Sequence, residues 1–513
     1  MRAEETDVVV VGGRLAGSAT AIALARGGHR VVVLERRRLP ADTLSSHALV
    51  PSAVAEAARL GVLERLLALD PPKSPWVHVG AGDVQVREHW SAVDGIGYGL
   101  CIPRADQDIE FARTAEAVGV DVRMGTDVLD VLWRAGRAVG VRCVEGGEEV
   151  EIRARLVVGA DGRRSTVAAR CGAWRPYRAS RNGRGAAYRY MTDPHVGTDW
   201  HATMSQWRWG TTIGYTFPVP GDRLICMVMP PAERIGEVRG DPEGAWQRWV
   251  DEDPDGIGAR LRGATDHTKI RSTSETISFF RASSGPGWAL AGDAGHFKDP
   301  VIGSGQRDAL RFGRRLGEVV GPVLDAGGDD HELDAALQGW ERERDRTCMA
   351  SYHWGSRESR AIAPATPLQR EVIRTFDGHR GQLADNFGRV RDPERIVGPR
   401  VVALGLLNAL HRHPEQRREI VREALGELPI EAGIRLDRWI GRRLFRASTT
   451  RPSERGDVDF PPAPRPPAPR PAASGPAASG PAASGPAASA PSEGGDAELP
   501  TAPRPASVLR SRH

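Results

Sequence analysis

Lysine is almost missing from this chain. Lys73, Lys269 and Lys298 are the three in 513 residues, so arginine carries nearly all the positive charge. With 70 basic against 66 acidic side chains the formal charge is only +4. No long basic block interleaved with aromatics occurs, which argues against a nucleic-acid partner. Cysteines are few and scattered: Cys101, Cys143, Cys171, Cys226 and Cys348. The lack of any C-x-x-C pair argues against a zinc site, a redox dithiol and a disulfide scaffold, and for a reducing compartment. The opening MRAEETDVVV has acids where a secretory peptide needs an apolar core. The apolar run VVALGLLNAL reaches about half the membrane-spanning length of ~20 residues. A cytoplasmic protein without transmembrane segments is expected.

What is present divides into parts. The length suits two or three domains with sizeable cores. From about residue 452 the composition collapses to PPAPRPPAPRP and then PAASGPAASGPAASGPAASA. These repeats offer no apolar face to offset ordering entropy, so a disordered tail is expected at 451–513. Before it, Val8–Val11 reads as a buried parallel strand, SATAIALARGG as a small-residue helix with a glycine stop, and HRVVVLER as a second strand. SAVAEAARLGVLERLLAL reads as one helix, and WVHVGAGDVQVREHW alternates like a hairpin. Strands dominate about 180–285, and helix dominates about 335–447. An α/β nucleotide fold interrupted by a β-rich insertion is the simplest assembly.

VVVVGGRLAGS opens like a nucleotide-binding strand and turn, except that Arg14 stands at the middle glycine of G-x-G-x-x-G. The physics is still met. Gly12 permits the tight turn, Gly17 lets the helix approach the sheet, and the Arg14 N–H faces a phosphate with its side chain turned outward. Its guanidinium would add a charge-assisted contact to the phosphates. Glu35 ends the second strand about twenty residues on, where an acid grips a ribose hydroxyl. The later GAG at Gly80–Gly82 precedes alternating residues, so it is a hairpin turn and not a second dinucleotide site.

Two further strand ends follow: LVVGADGRRSTVAARCG, with Asp161-Gly162, and WALAGDAGHFKDPVIGSGQRDALRFGRRL, with Gly292-Asp293. Each alone is an ordinary turn with a helix-capping Asp. Together, in this order and spacing, they resemble the three fingerprints of the class A FAD-dependent monooxygenase superfamily. That group is typified by para-hydroxybenzoate hydroxylase and includes geranylgeranyl reductases and flavin halogenases. The resemblance covers about 7–350. It implies a Rossmann-like FAD-binding domain of 1–75, 96–179 and 286–350. A β-rich substrate domain of 76–95 and 180–285 and a helical C-terminal region of 351–450 complete the expected folded part.

The resemblance also assigns roles. Gly12, Gly13 and Gly17 would surround the FAD pyrophosphate, with Glu35 and Arg36 at the adenosine. Arg104, which begins an R-x-x-x-D helix, would reach the phosphate or ribityl region, and Val128 would contact adenine through its backbone. Asp161 and Gly162 would lie near the pyrophosphate and the pyridine nucleotide. Asp293 would hold the ribityl chain or its phosphate. Pro300, Gly303 and Gly305 would set N–H groups beside the flavin pyrimidine, where a helix N-terminus favours the reduced flavin's negative charge.

Other candidates keep two readings. His47 would touch the flavin edge or substrate, or stabilise its turn. Arg307 would pair with reduced flavin, or face solvent beside Asp308. His296 reads mainly as turn architecture. Trp207, Trp209, Tyr215 and Phe217 would wall a substrate pocket, or fill the sheet core. GIRLDRWIGRRLFR has apolar residues at helical spacing among arginines, so 433–446 would rest on an anionic membrane surface or pack on the domain. The activity implied is an FAD monooxygenase using NAD(P)H and O2 on a small apolar or aromatic molecule. Reduction of isoprenoid double bonds and a non-catalytic flavin module are the alternatives. The W-x-W of WRWG resembles a halogenase motif, but those enzymes need a placed lysine, and the setting of Lys73 does not match.

Overall fold

Four consecutive valines, Val8–Val11, lie at the centre of the first sheet. The strand Arg2–Val11 pairs in parallel with Val31–Glu35 on one side and Glu148–Gly159 on the other, so those valines are covered on both faces. The structure is a computed structural model. It describes residues 2–444 apart from short gaps, with side chains as far as Leu436, and residues 461–464. Asp121–Met124 extends the sheet beyond Val31–Glu35, and Trp288–Leu290 extends it beyond Glu148–Gly159. Ser284–Gly285 pairs with Trp288–Leu290, and Asp127–Arg134 and Arg137–Glu145 join by antiparallel pairing, giving eight strands.

Register settles where the three motifs go. Val11 pairs with Leu34 and with Gly159, and Gly159 pairs with Leu290. The turns at Gly12, Asp161 and Gly292 therefore leave one edge of the sheet together. This is the edge where open parallel sheets bind ligands. The helix Leu15–Arg26, built of small residues, lies against Gly305–Asp325. Added Cβ atoms on Gly313 and Gly317 would stand 2.6 Å from Ala16 O and from the Ala23 side chain.

A second sheet has seven strands. The hairpin Trp76–Ala81 and Val84–His89 joins Thr203–Trp209 in parallel, followed by Thr212–Val219, Arg223–Met229, Ala186–Thr192 and Arg271–Thr273. Both faces are covered. Trp207, Trp209 and Cys226 meet Trp246 and Trp249 of helix Pro242–Asp251, while Tyr215, Phe217 and Met227 join the core shared with the first domain. The turn at Gly82 (φ +61°) closes the hairpin.

The stretch expected as one helix is two, Pro51–Arg59 and Leu63–Leu67, because Gly61 takes φ +70° between them. The C-terminal region is helical: Asp330–Glu358, entered by an Asp329/Glu332 capping box, then Pro367–Arg374, Gln382–Gly388, Pro399–Arg412 and Arg417–Leu444. No described helix is long and apolar enough to cross a membrane. The described residues all lie within one unit, Met1–Pro466. Of the expected tail, all but 461–464 lies outside the described residues. There Trp174 Nε1 donates to the Pro461 carbonyl at 2.8 Å.

Candidate active site

The cradle begins where side chains are missing. Gly12 has φ +104°, and a Cβ there would stand 2.4 Å from Ala160 O, so the first motif touches the second through bare backbone. A Cβ on Gly17 would fall 1.8 Å from Gly12 O, which seats the helix on its own turn. Gly13 N donates to Glu35 Oε2 (2.8 Å) and Arg37 N to Oε1 (2.9 Å), fixing the carboxylate while each oxygen keeps a lone pair. Helix Leu15–Arg26 has neither a side-chain cap nor an acid in its first turn, so its leading N–H groups are free for an anion.

Arginine at position 14 follows a different course from the expected phosphate contact. Its guanidinium donates to Asp108 Oδ2 (2.9 Å) and Ala41 O (3.2 Å). Arg104 binds the same fully buried carboxylate at 2.8 and 3.1 Å. Asp108 thus ties the first turn to the start of helix Arg104–Ala117. Gln107 in turn donates to Gln306 Oε1 (2.8 Å), and Gln306 to Ala48 O (3.2 Å).

At the other end, Thr126 N donates to Glu35 O (3.1 Å), bringing the strand that carries Val128 beside the acid. Arg36 is largely exposed, 4.0 Å from Asp127. Asp161 caps the next helix through Oδ2, which accepts from Thr166 N (2.6 Å) and Val167 N (3.2 Å). Its Oδ1 is buried without a partner, and burial raises its pKa. Asp293 lies in the turn Gly292–Ala294 against Ala16. Burial raises its pKa too, opposed by the charges of Arg163 and Arg104. A Cβ on Gly162, Gly303 or Gly305 would meet nothing within 4 Å. Open room beside three bare backbones, an orphaned carboxylate oxygen and an uncapped helix start fit an FAD pyrophosphate and ring.

The third motif forms the floor of a pocket. Asp299 Oδ1 caps the turn Pro300–Ile302 by accepting from Val301 N (2.8 Å); Oδ2 is buried and unpaired, and burial pushes the pKa up to about 7. Gly303 (φ +61°) and Ser304 lead into helix Gly305–Asp325, which has no side-chain cap. Above them lies an apolar cavity walled by Trp90, Met204, Tyr215, Phe217, Met227 and Phe387. The Tyr215 hydroxyl donates to Val301 O (2.5 Å) and accepts from Gln206 Nε2 (2.8 Å), tying wall to floor. His78 borders the cavity through its strand while its ring packs on Trp207 (4.6 Å) across the sheet; burial lowers its pKa to about 4, and its Nε2 meets Gln85 at 2.7 Å.

Of the four expected wall aromatics, Tyr215 and Phe217 line this cavity. Trp207 and Trp209 do not. They project from the opposite face of the sheet, where Trp209 Nε1 donates to Trp249 O (3.1 Å). Arg307 neither faces solvent nor offers a free charge. It is buried, bonded to Asp308 Oδ1 (2.5 and 2.9 Å) and to Arg389 O (3.1 Å). Lys298 holds the other oxygen of Asp308. Burial alone would raise the Asp308 pKa, but Arg307 and Lys298 hold it well below the usual carboxylate range. His47 has both ring nitrogens engaged, with Tyr190 (2.8 Å) and Thr43 O (3.4 Å), at a positive φ of 61°; burial drops its pKa to about 3. That is the turn-stabilising alternative. His296 is likewise buried and neutral, stacked on Phe280.

Two contributors come from the far C-terminal region. Phe387 closes the cavity, and the half-buried Arg389 donates to Ser304 Oγ (3.1 Å) and Ile302 O (3.3 Å), holding the floor loop. Burial lowers its pKa to about 10.

An α/β domain with its cradle at a sheet edge, facing an apolar pocket in a second sheet, defines a flavin-dependent oxidoreductase. The FAD-binding domain family matches residues 5–346, and the chain belongs to that family. It is 26% identical over 345 residues to menaquinone reductase of Mycolicibacterium smegmatis, across 63% of this chain and 77% of that protein. Its fold superposes on the myxobacterial chondrochloren halogenase CndH with a TM-score of 0.61 at 24% identity, covering 78% and 97% of the two chains. On pqsL, a probable FAD-dependent monooxygenase from Pseudomonas aeruginosa, the TM-score is 0.59 at 21% identity, covering 72% and 98%.

Proposed function

We propose that this FAD-dependent oxidoreductase is an NAD(P)H-dependent monooxygenase, which transfers one oxygen atom of O2 to a small apolar or aromatic molecule. The observation that carries the reading is the cavity itself: aromatic and methionine walls meeting the bare-backbone floor Pro300–Gly305. Bound FAD supplies the redox chemistry. The chain would bind and orient it with the free amides at the uncapped start of helix Leu15–Arg26 and with the Asp161 carboxyl. Gly303 N is spent on Pro300 O (3.0 Å), so the amides from Gly305 onward, at the uncapped start of helix Gly305–Asp325, would favour negative charge on the ring. Trp90, Phe217 and Phe387 exclude water. Overall, substrate, O2, NAD(P)H and a proton give oxygenated substrate, water and NAD(P)+.

A second reading is the reduction of an isoprenoid double bond, favoured by the similarity to a reductase, that of menaquinone. A halogenase reading is weakened because no lysine lines the cavity among the described residues. The discriminating experiment reduces the flavin anaerobically with NADPH, then adds O2 or a polyprenyl substrate. Rapid reoxidation with an oxygenated product supports the monooxygenase. Reduced flavin that persists in air while a polyprenyl chain becomes saturated replaces it with the reductase. A protein that consumes no NAD(P)H is a flavin module without turnover.

A further inference from the structure

The C-terminal helices leave leucines in water. Leu407 is 65% exposed, Leu428 62%, Leu425 60%, Leu436 56% and Leu404 49%. All five lie on Pro399–Arg412 and Arg417–Leu444, two consecutive helices that share a small core of Leu406, Leu410, Ile420 and Ala424 over Leu368. Exposed leucines gathered on two packed helices mark an interaction surface.

Their arrangement selects the partner. At about 100° per residue, Val421, Leu425, Leu428, Ala432 and Leu436 fall in one stripe about 80° wide. Arg417, Arg418, Arg422 and Arg435 flank it within about 80° of Leu425, whereas Glu419, Glu423, Glu427 and Glu431 all lie about 120° or more away. Three of those acids are engaged in the fold. Glu423 accepts from Thr366, Glu427 pairs with Arg357 and Arg360, and Glu431 pairs with Arg357 and Arg435. Arg418 and Arg422 make no ion pair among the described residues. The helix Pro399–Arg412 carries Arg400, His411 and Arg412 beside its exposed Val402, Leu404 and Leu407, and no acid at all.

We propose that this face docks on an anionic lipid bilayer surface. Leucine and valine enter the acyl boundary, arginines meet lipid phosphates, and Glu423, Glu427 and Glu431 stay turned toward the protein. A rim of like charges without acids disfavours a second copy of the same face. The proposal rests on the helices alone and not on the reaction catalysed. Of the expected membrane segment 433–446, the side chains beyond Leu436 lie outside the described residues.

Co-sedimentation of the full chain with vesicles tests it, using phosphatidylcholine alone and phosphatidylcholine mixed with phosphatidylglycerol. Binding is expected to the mixed vesicles and to weaken with salt. Leu425→Glu combined with Leu428→Glu should lower that binding on the order of tenfold or more, at exposed positions the fold does not use. Arg418→Gln with Arg422→Gln should remove the preference for phosphatidylglycerol. Flavin absorbance and the melting temperature serve as folding controls and should not change. Binding to neither vesicle, or binding indifferent to both variant pairs, overturns the proposal. So does a dimer in solution that Leu425→Glu splits into monomers, since the stripe would then belong to a second copy.

Discussion

The two ends of the site are built by opposite means. At Gly12 and Gly17 space is made by leaving side chains out, and the contacts are backbone on backbone at distances no Cβ tolerates, while Gly13 makes room for the Glu35 side chain. At the floor, side chains are packed in with their charges: Asp308 between Lys298 and Arg307, Arg389 over the loop, and Asp299 beneath it. The cradle is therefore sensitive to added atoms, and the floor to removed charges. Within the floor the two aspartates diverge again. Asp308 is ionised because two cations offset its burial, while Asp299 has one backbone donor and no bonded cation, so burial dominates.

The largest effect is expected where charge is removed. Asp308→Asn leaves Lys298 and Arg307 buried without their counter-ion and should cost about 3–5 kcal/mol in urea unfolding. A loss below about 1 kcal/mol would mean the floor is wetter than its burial indicates. Next comes Asp299. Its folded pKa of about 7 lies above the unfolded value of about 3.9, so between these the folded state holds the extra proton. Its contribution is fully present below about pH 4 and is lost as pH rises through 7, on the order of 3–4 kcal/mol. Unfolding curves at pH 5 and pH 8 should show the part of this decline that falls above pH 5, about 2–3 kcal/mol, in the parent protein and not in Asp299→Asn. Smaller in stability but not in function is Gly12→Ala. The clash with Ala160 O should cost about 1–3 kcal/mol and yield protein without flavin absorbance, whereas a Gly12→Ala protein that keeps its yellow colour would show the turn can move aside.

This contrast also explains what is legible in the sequence. The cradle is local: glycines, a following acid and strand ends in order announce it, and the parallel register of Val11, Leu34, Gly159 and Leu290 brings the motifs to one edge. The α/β class, the β-rich insertion and the helical C-terminal region are readable for the same reason. The floor is not local. Phe387 and Arg389 come from a helix beyond the fingerprints, and nothing in GQLADNFGRV advertises a contact with Ile302 and Ser304. Asp108 is half visible, as the acid four residues after Arg104, but its grip on Arg14 across 94 positions is not. Trp207 and Trp209 fail as pocket residues because alternation says which residues share a face, not which face meets the cofactor domain. Gly61 splits an expected helix since apolar periodicity continues across a turn as readily as through one.

The smallest expected effect bears most directly on how the floor serves chemistry. Tyr215 is the wall aromatic whose hydroxyl ties the second sheet to the loop, through Val301 O and Gln206. Tyr215→Phe keeps the ring and its packing but leaves a buried carbonyl and a buried amide each short of a partner, so about 1–2 kcal/mol of stability should go. The amides at the start of helix Gly305–Asp325 are positioned by that same loop, with Arg389 as its second tether. Loosening one tether should therefore lower the fraction of NADPH oxidation that ends in oxygenated product, with hydrogen peroxide making up the difference, while the rate of flavin reduction stays unchanged. Equal coupling in both proteins would show that Arg389 alone fixes the floor and that Tyr215 contributes only its aromatic surface.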